Sequence, residues 1–354
     1  MKGKIMWVTL LLMGLMLLNA QAETAIPGWR EDSPCAAEIT RILEAIDREG
    51  SPGYVPQEDR IAVFDFDGTL FGERFRTYFD HLLLMRRTLH DGSYEAPAET
   101  RAYVEALEEA ELHWKEAPKG AKSNAQYTAE VFAGMTVEKY RAYVRDFMAV
   151  PVLGFRGMTY GEGFFQPMVS LVRTLSEHGF RVYILSAAER HCVRELIRGT
   201  LDQWIPADRM IGSRFSLAAK GQGDTDGRKY TYTMEDQVIL TGNLLLKTEK
   251  KNKVNAIVEE IGQASLLVFG NSSGDLAMGV YAQQNGGKAF MLLCDDMQRD
   301  YGDKAEAEKF QKNCEDLGIQ TVSMKDEFET IYGENVFLDN SAEEEPEAEQ
   351  LPAA

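Results

Sequence analysis

Apolar residues follow two rhythms along the chain. Runs of strand length recur at Ile61–Phe66, at RVYILS (181–186), at SLLVFG (265–270) and at AFMLL (289–293), with a last one near IQTVS (319–323). Such near-continuous runs suit strands covered on both faces of a parallel sheet. Between them the apolar positions fall at helical spacing. Ser33-Pro34 opens a helix with Ile39, Ile42, Leu43 and Ile46 on one face, serine as N-cap and proline at the first helical position. From Phe71 to about Val150 the pattern is helical only: FRTYFDHLLLMRRTLH, AETRAYVEALEEAELHW and VEKYRAYVRDFM. Further helices are expected over 167–178, from near Ala188, over 253–261 and over 275–282. Residues 205–247 change character: Asp224–Gly227 is a polar turn, and KYTYTMEDQVIL alternates like a pair of strands.

Alternating strands and helices imply a doubly wound α/β fold with a parallel sheet. The expected core spans 23–70 and 161–335, with a helical cap inserted at 71–160 and a small β insertion at about 210–245. In such a sheet the ligand site lies beyond the carboxyl ends of the strands. The aromatics Tyr78, Phe79, Trp114, Tyr140, Tyr143 and Phe147 are expected in the core of the cap.

The two ends of the chain are set apart by composition. Lys2 and Lys4, an apolar run from Ile5 to Leu18 and then Ala20-Gln21-Ala22 form the three regions of a secretory signal. The run is short for a membrane span, which takes about 20 apolar residues. Cleavage after Ala22, a periplasmic or secreted location and no stable membrane insertion are therefore expected. The net charge is −18, and removing Lys2 and Lys4 takes it to −20. That argues against nucleic acid, whose binding depends on neutralising phosphates with Lys and Arg. Part of the acidity is the tail at 341–354, SAEEEPEAEQLPAA, which has no apolar pattern. The four cysteines match no small disulfide scaffold or zinc spacing; Cys294–Cys314 stands as one pairing and free thiols as the alternative.

Three strand ends carry the chemistry: Asp65-Phe66-Asp67, Ser186, and Gly270-Asn271-Ser272-Ser273-Gly274-Asp275, with lysines 247, 250, 251 and 253 just before the helix that leads to the third. A carboxylate can attack phosphorus, and a second carboxyl can protonate the leaving alcohol and then activate water. Phosphate approaching two aspartates requires a cation, and magnesium suits oxygen ligands.

These strand ends resemble the haloacid dehalogenase superfamily of phosphatases. IAVFDFDGTL matches its first motif, RVYILSAAE its second, KNKVNAIVEEI followed by LLVFGNSSGDLAM its third and fourth, in the right order over residues 61–280. The nearest branch is similar to the phosphoserine phosphatases, with the serine-alanine-alanine of exported phosphorylcholine phosphatases. The resemblance implies Asp65 as nucleophile and metal ligand, Asp67 as general acid/base with its carbonyl on the metal, and Thr69, Ser186 and Ala187 around phosphate. It implies Lys251 as the phosphate-neutralising lysine, with Lys253 second. Two departures stand out. Asn271 replaces the usual aspartate, which would make Asp275 the direct magnesium ligand, with Asn271 keeping one oxygen for the metal or its water. Arg74, with Glu73 beside it, stands where phosphoserine enzymes place an amine-binding glutamate. The implied activity is magnesium-dependent hydrolysis of a small phosphorylated metabolite. A phosphotransferase or mutase on the same fold, and a binding protein without turnover, are the alternatives.

Overall fold

The computed structural model describes residues 26–73, 77–113, 115 and 117–339. The expected signal segment, the acidic tail, Arg74 and Trp114 lie outside these residues.

Helix α1 (Pro34–Asp47) starts as its sequence dictates: the Ser33 hydroxyl accepts from Ala36 N at 3.0 Å, and Cys35, Ile39, Leu43 and Ile46 form its buried face. The all-buried strand β1 (Ile61–Phe64) follows. Next come α2 (Phe79–Met85), which runs into a π-helical turn at Arg86–His90, then α3 (Ala98–Leu112), α4 (Asn124–Val131) and α5 (Val137–Met148). On α5, Tyr140, Val144 and Phe147 are buried, one helical turn apart. Phe79 is buried with them, whereas Tyr78 is 42 % exposed.

The chain then forms β2 (Phe155–Arg156), α6 (Gln166–Glu177), β3 (Arg181–Glu189) and α7 (Arg190–Leu196). After these come β4 (Met210–Ala219), β5 (Val238–Leu246), α8 (Lys251–Ala256) and β6 (Leu267–Gly270). The last elements are α9 (Leu276–Gln284), β7 (Lys288–Leu293), α10 (Lys304–Asp316), β8 (Gln320–Ser323) and β9 (Phe337–Leu338). Seven strands form one sheet in the order β5-β4-β3-β1-β6-β7-β8, parallel except for β5, which is antiparallel to β4. The expected doubly wound α/β fold is present. β1 lies between β3 and β6, so the chain leaves its carboxyl end towards both sides of the sheet, where a crevice opens.

Two expectations change. Residues 229–237 are not a strand. The Asp236 carboxylate gathers Gly221 N, Thr233 N and the Tyr230 hydroxyl at 2.8–3.0 Å, which rolls this segment into a loop. The strands there are β4 and β5, and they extend the main sheet. β5 also grips the helical segment: Gly134 N donates to Leu240 O at 2.8 Å and Leu240 N to Met135 O at 2.9 Å. Second, Cys314 forms no disulfide, so the Cys294–Cys314 pair is not made.

Candidate active site

The ladder between β1 and β6 runs one residue past the strand, with Asp65 N donating to Phe269 O at 2.9 Å. This seats Asp65 at the carboxyl end of β1, in the middle of the sheet. The chain then turns sharply, Leu70 N and Phe71 N both donating to Phe66 O. Gly68 takes φ +72°, and a Cβ there would lie 1.9 Å from Asn271 Nδ2 and 2.8 Å from Glu73 Oε2. The positive φ favours glycine, and any Cβ here would push the Asn271 and Glu73 side chains aside.

The lysine facing these groups is Lys253, not Lys251. Lys253 Nζ lies 2.5 Å from Asp65 Oδ1 and 2.6 Å from Asp275 Oδ1, and the residue is 2 % exposed. Lys251 is exposed. Two residues on a helix are turned about 200° apart, so only one of the two can face the sheet. Burial works against the charge on Lys253, but Asp275 and Asp65 outweigh it and hold its pKa above the usual value.

Asp275 is also placed differently from the expectation. Its Oδ2 accepts from Asn271 N at 3.1 Å and from Ser272 N and Oγ at 3.0 Å each, while Oδ1 takes Lys253. Both oxygens of this fully buried carboxylate are engaged within the protein, so it holds the lysine and the loop rather than standing open as a direct metal ligand. Asn271 carries the polar end of the loop: Nδ2 donates to Glu73 Oε2 at 3.1 Å and Oδ1 accepts from Thr69 Oγ1 at 3.3 Å. Thr69 is thus occupied by Asn271 rather than turned to the crevice.

Ser186 is fully buried and its Oγ accepts from Ala188 N at 3.0 Å. Ala187 and Ala188, not Ser186 itself, line the crevice. β3 continues past Ser186 through a bulge to Glu189, whose carboxylate caps α7 by accepting from His191 N and Cys192 N. That cap moves the helix start from the expected Ala188 to Arg190. One residue escaped sequence reasoning. Ser213 Oγ on β4 donates to Ala187 O at 2.6 Å and accepts from Thr248 N at 3.0 Å. A single buried hydroxyl thereby ties the Ser186–Ala188 turn to the segment that presents Lys253.

The crevice, about 280 Å³, sets six carboxylates (Asp65, Asp67, Glu73, Asp80, Glu249 and Asp275) against Lys247 and Lys253. A second cleft of about 560 Å³ shares Glu73, Tyr78, Asn271 and Ser272 with it and runs towards α10. Burial, then the charges of Asp80, Asp65 and Glu73, push the Asp67 carboxyl well above its ordinary pKa. Asp65 is also raised, by burial first and then by Asp275, because one ammonium cannot balance two buried carboxylates. Surplus carboxylate and oxygen-only donors fit a hard cation such as magnesium. Among the described residues no three His, Cys, Asp or Glu side chains converge as a metal cage. A cation here would draw on Asp65, the Asp67 carbonyl and the Asn271 amide oxygen.

The model of the haloacid dehalogenase-like hydrolases matches residues 62–279. The chain belongs to this family. Members of this superfamily generally use magnesium. Among solved structures, a conserved protein of unknown function from Anaerococcus prevotii DSM 20548 is similar at 14 % identity and TM-score 0.50, over 82 % of this chain and 91 % of that one. It shares the fold. Cytosolic 5'-nucleotidase IIIB bound to cytidine aligns at 14 % identity and TM-score 0.44, over 84 % of this chain and 88 % of that one. A phosphoserine phosphohydrolase-like protein from Francisella tularensis subsp. tularensis SCHU S4 aligns at 14 % and 0.36, over 66 % and 87 %. No curated protein matches the chain.

Proposed function

We propose that this hydrolase is an exported, magnesium-dependent phosphomonoesterase acting on a small organic phosphate through an aspartyl phosphate. The observation that carries the reading is Lys253, buried and bonded to both Asp65 and Asp275, beside an Asp67 whose surroundings favour its protonated form. Lys253 holds Asp65 Oδ1 and leaves Oδ2 to attack phosphorus. As the P–O bond to the alcohol breaks, Asp67 gives its proton to the leaving oxygen. Water then attacks the aspartyl phosphate and passes a proton to Asp67. Inorganic phosphate leaves and the Asp65 carboxylate is restored. Lys253 and the backbone of the Ser186–Ala188 turn face the phosphoryl oxygens. When bound, magnesium would neutralise charge shared by phosphate and Asp65, held by Asp65, the Asp67 carbonyl and Asn271.

Export is supported by the pattern of residues 1–22. The test is a panel of phosphate monoesters given to the purified chain from residue 23, with and without an acceptor alcohol. Release of inorganic phosphate that stops in chelator supports the reading. Transfer to the alcohol in place of release would make the chain a phosphotransferase, and no turnover on any ester would sink the proposal. N-terminal sequencing of the exported product tests cleavage after Ala22.

A further inference from the structure

Asn271 presents a problem that its neighbours resolve. A cation beside two aspartates is best matched by a charged third donor, yet an amide stands at the end of β6. Asp275 is already committed to Lys253 and to the Asn271–Ser272 loop, with hydrogen bonds on both its oxygens. We propose that Glu73 is a positioning residue for the cation, acting through Asn271: its carboxylate takes the amide N–H and makes Asn271 Oδ1 serve as a carboxylate oxygen. The inference rests on the magnesium-dependent reading above.

Three observations carry it. The first is the direction of the amide. A carboxylate only accepts, so the 3.1 Å contact between Asn271 Nδ2 and Glu73 Oε2 fixes the nitrogen on the Glu73 side. That leaves Oδ1 on the other side, where the Thr69 hydroxyl, 3.3 Å away, can donate to it. The second is the close approach. Asn271 Nδ2 and Glu73 Oε2 both close over Gly68, 1.9 and 2.8 Å from where a Cβ would lie, directly after Asp67. Glu73 therefore sits against the cation side of the crevice, although it is distant in sequence from Asn271. The third is chemical. An N–H donated to a carboxylate is charge-assisted, and it draws electron density towards the amide oxygen. Metal-bound histidines backed by carboxylates work this way: the outer group fixes the orientation of the ligand and raises its basicity.

The couple makes a specific demand on substitutions. Glu73→Gln keeps the shape and removes the charge, and should weaken magnesium by about 10–100-fold, the usual cost of losing such an outer partner. Asn271→Asp should tighten magnesium strongly in the Glu73→Gln background. With Glu73 present it should tighten it much less, because two carboxylates would then stand where an amide and a carboxylate now bond. The two changes are thus non-additive.

Affinity is read without turnover, from the rise in Tm when magnesium chloride is titrated into the metal-free full chain. Glu73→Asp, which draws the carboxylate back by one methylene, is measured alongside and should fall between wild type and Glu73→Gln. It also decides the matter should Glu73→Gln fail to fold. Magnesium affinity within twofold of wild type in these Glu73 variants, or equal tightening by Asn271→Asp in both backgrounds, overturns the proposal. A raised KM with magnesium affinity unmoved would place Glu73 against the leaving group and overturn it equally. Phosphate release by the wild-type chain is assayed in parallel, so failure of the phosphatase reading is seen separately from failure of the couple.

Discussion

The two sides of the crevice handle charge in opposite ways. On the lysine side the buried charges are partnered: Lys253 bridges Asp65 and Asp275, Asp275 Oδ2 takes three donors, and Ser213 joins the Ala187 and Thr248 backbones. On the Asp67 side carboxylates crowd one another, and Asp80, Asp65 and Glu73 all push the Asp67 pKa up. A side whose donors are already held in place is ready for phosphoryl oxygens, because its dipoles need no rearrangement. A side with surplus negative charge is incomplete until a proton or a cation arrives. The asymmetry suggests the order of use: phosphate settles against the lysine, and the cation and the Asp67 proton balance the rest.

The largest effect should come from the residue that belongs to both sides. Asp65→Asn should reduce turnover to background while the fold is kept, since an amide cannot form the acyl phosphate. Single-turnover assays with circular dichroism on the same sample check this; turnover near that of wild type would end the mechanism. The lysines give the next contrast. Lys253→Met should cost on the order of 10²–10³ in kcat, as loss of one charge-stabilising donor does. It should also lower Tm, because two buried carboxylates lose their shared cation. Lys251→Met should change both by less than about twofold, being an exposed substitution. Equal losses in the two variants would return the choice of lysine to the sequence-based one.

That choice shows where the sequence ran out. The strand-end carboxylates, Ser186 and the Gly270–Asp275 loop were legible because buried parallel strands are unbroken apolar runs, and polar residues at their ends stand out. The lysine was not. Four lysines lie within seven positions, and the expected helix began at Lys253, whereas the structure begins it at Lys251. The choice of Lys251 rested on the family's spacing, three residues before an apolar helical position, here Val254. Lys251 and Lys253 are turned about 200° apart on the helix, and that spacing did not select the one that faces the sheet. Ser213 was hidden for a different reason. It lies 26 residues from Ala187 and 35 from Thr248, so only the pairing of β3 with β4 brings it to the site. The Asn271–Glu73 contact spans 198 residues and could not be read from spacing.

Ser213→Ala should have a smaller effect that tests the ordered side. It leaves the Ala187 carbonyl and the Thr248 N–H without a shared partner, at a cost of about 1–3 kcal/mol in stability. If the hydroxyl positions the phosphate turn and not merely the fold, kcat should fall about 10-fold more than magnesium affinity does. A loss of Tm with kcat unchanged would make Ser213 structural only.

The last test concerns the crowded side and needs no substitution. Burial raises the carboxyls of Glu189 and Asp300 to about 7 and lifts Asp65 and Asp67 above their ordinary values. A carboxyl raised on folding binds its proton more tightly in the folded chain. Its contribution to stability is complete below the unfolded pKa and is lost as pH rises through the folded one. Carboxylates lowered on folding, such as Glu195 and Asp91, act only at lower pH. His191, lowered to about 4 by burial and then by arginines, opposes the trend, but only below its unfolded value of 6.5. Between pH 6.5 and 8 the raised carboxyls therefore dominate, each losing up to about 1.4 kcal/mol per pH unit until it is ionised in the folded chain as well. In chelator, Tm should fall by several °C across that window, since about 1 kcal/mol is worth some 2–4 °C in a chain somewhat smaller than this one. Magnesium should recover the share due to Asp65 and Asp67, and so raise Tm more at pH 8 than at pH 6.5. Glu189 and Asp300 would keep the remainder. A Tm that stays flat or rises in chelator, or a magnesium effect independent of pH, would mean that the carboxylates of the crevice are already balanced without a cation.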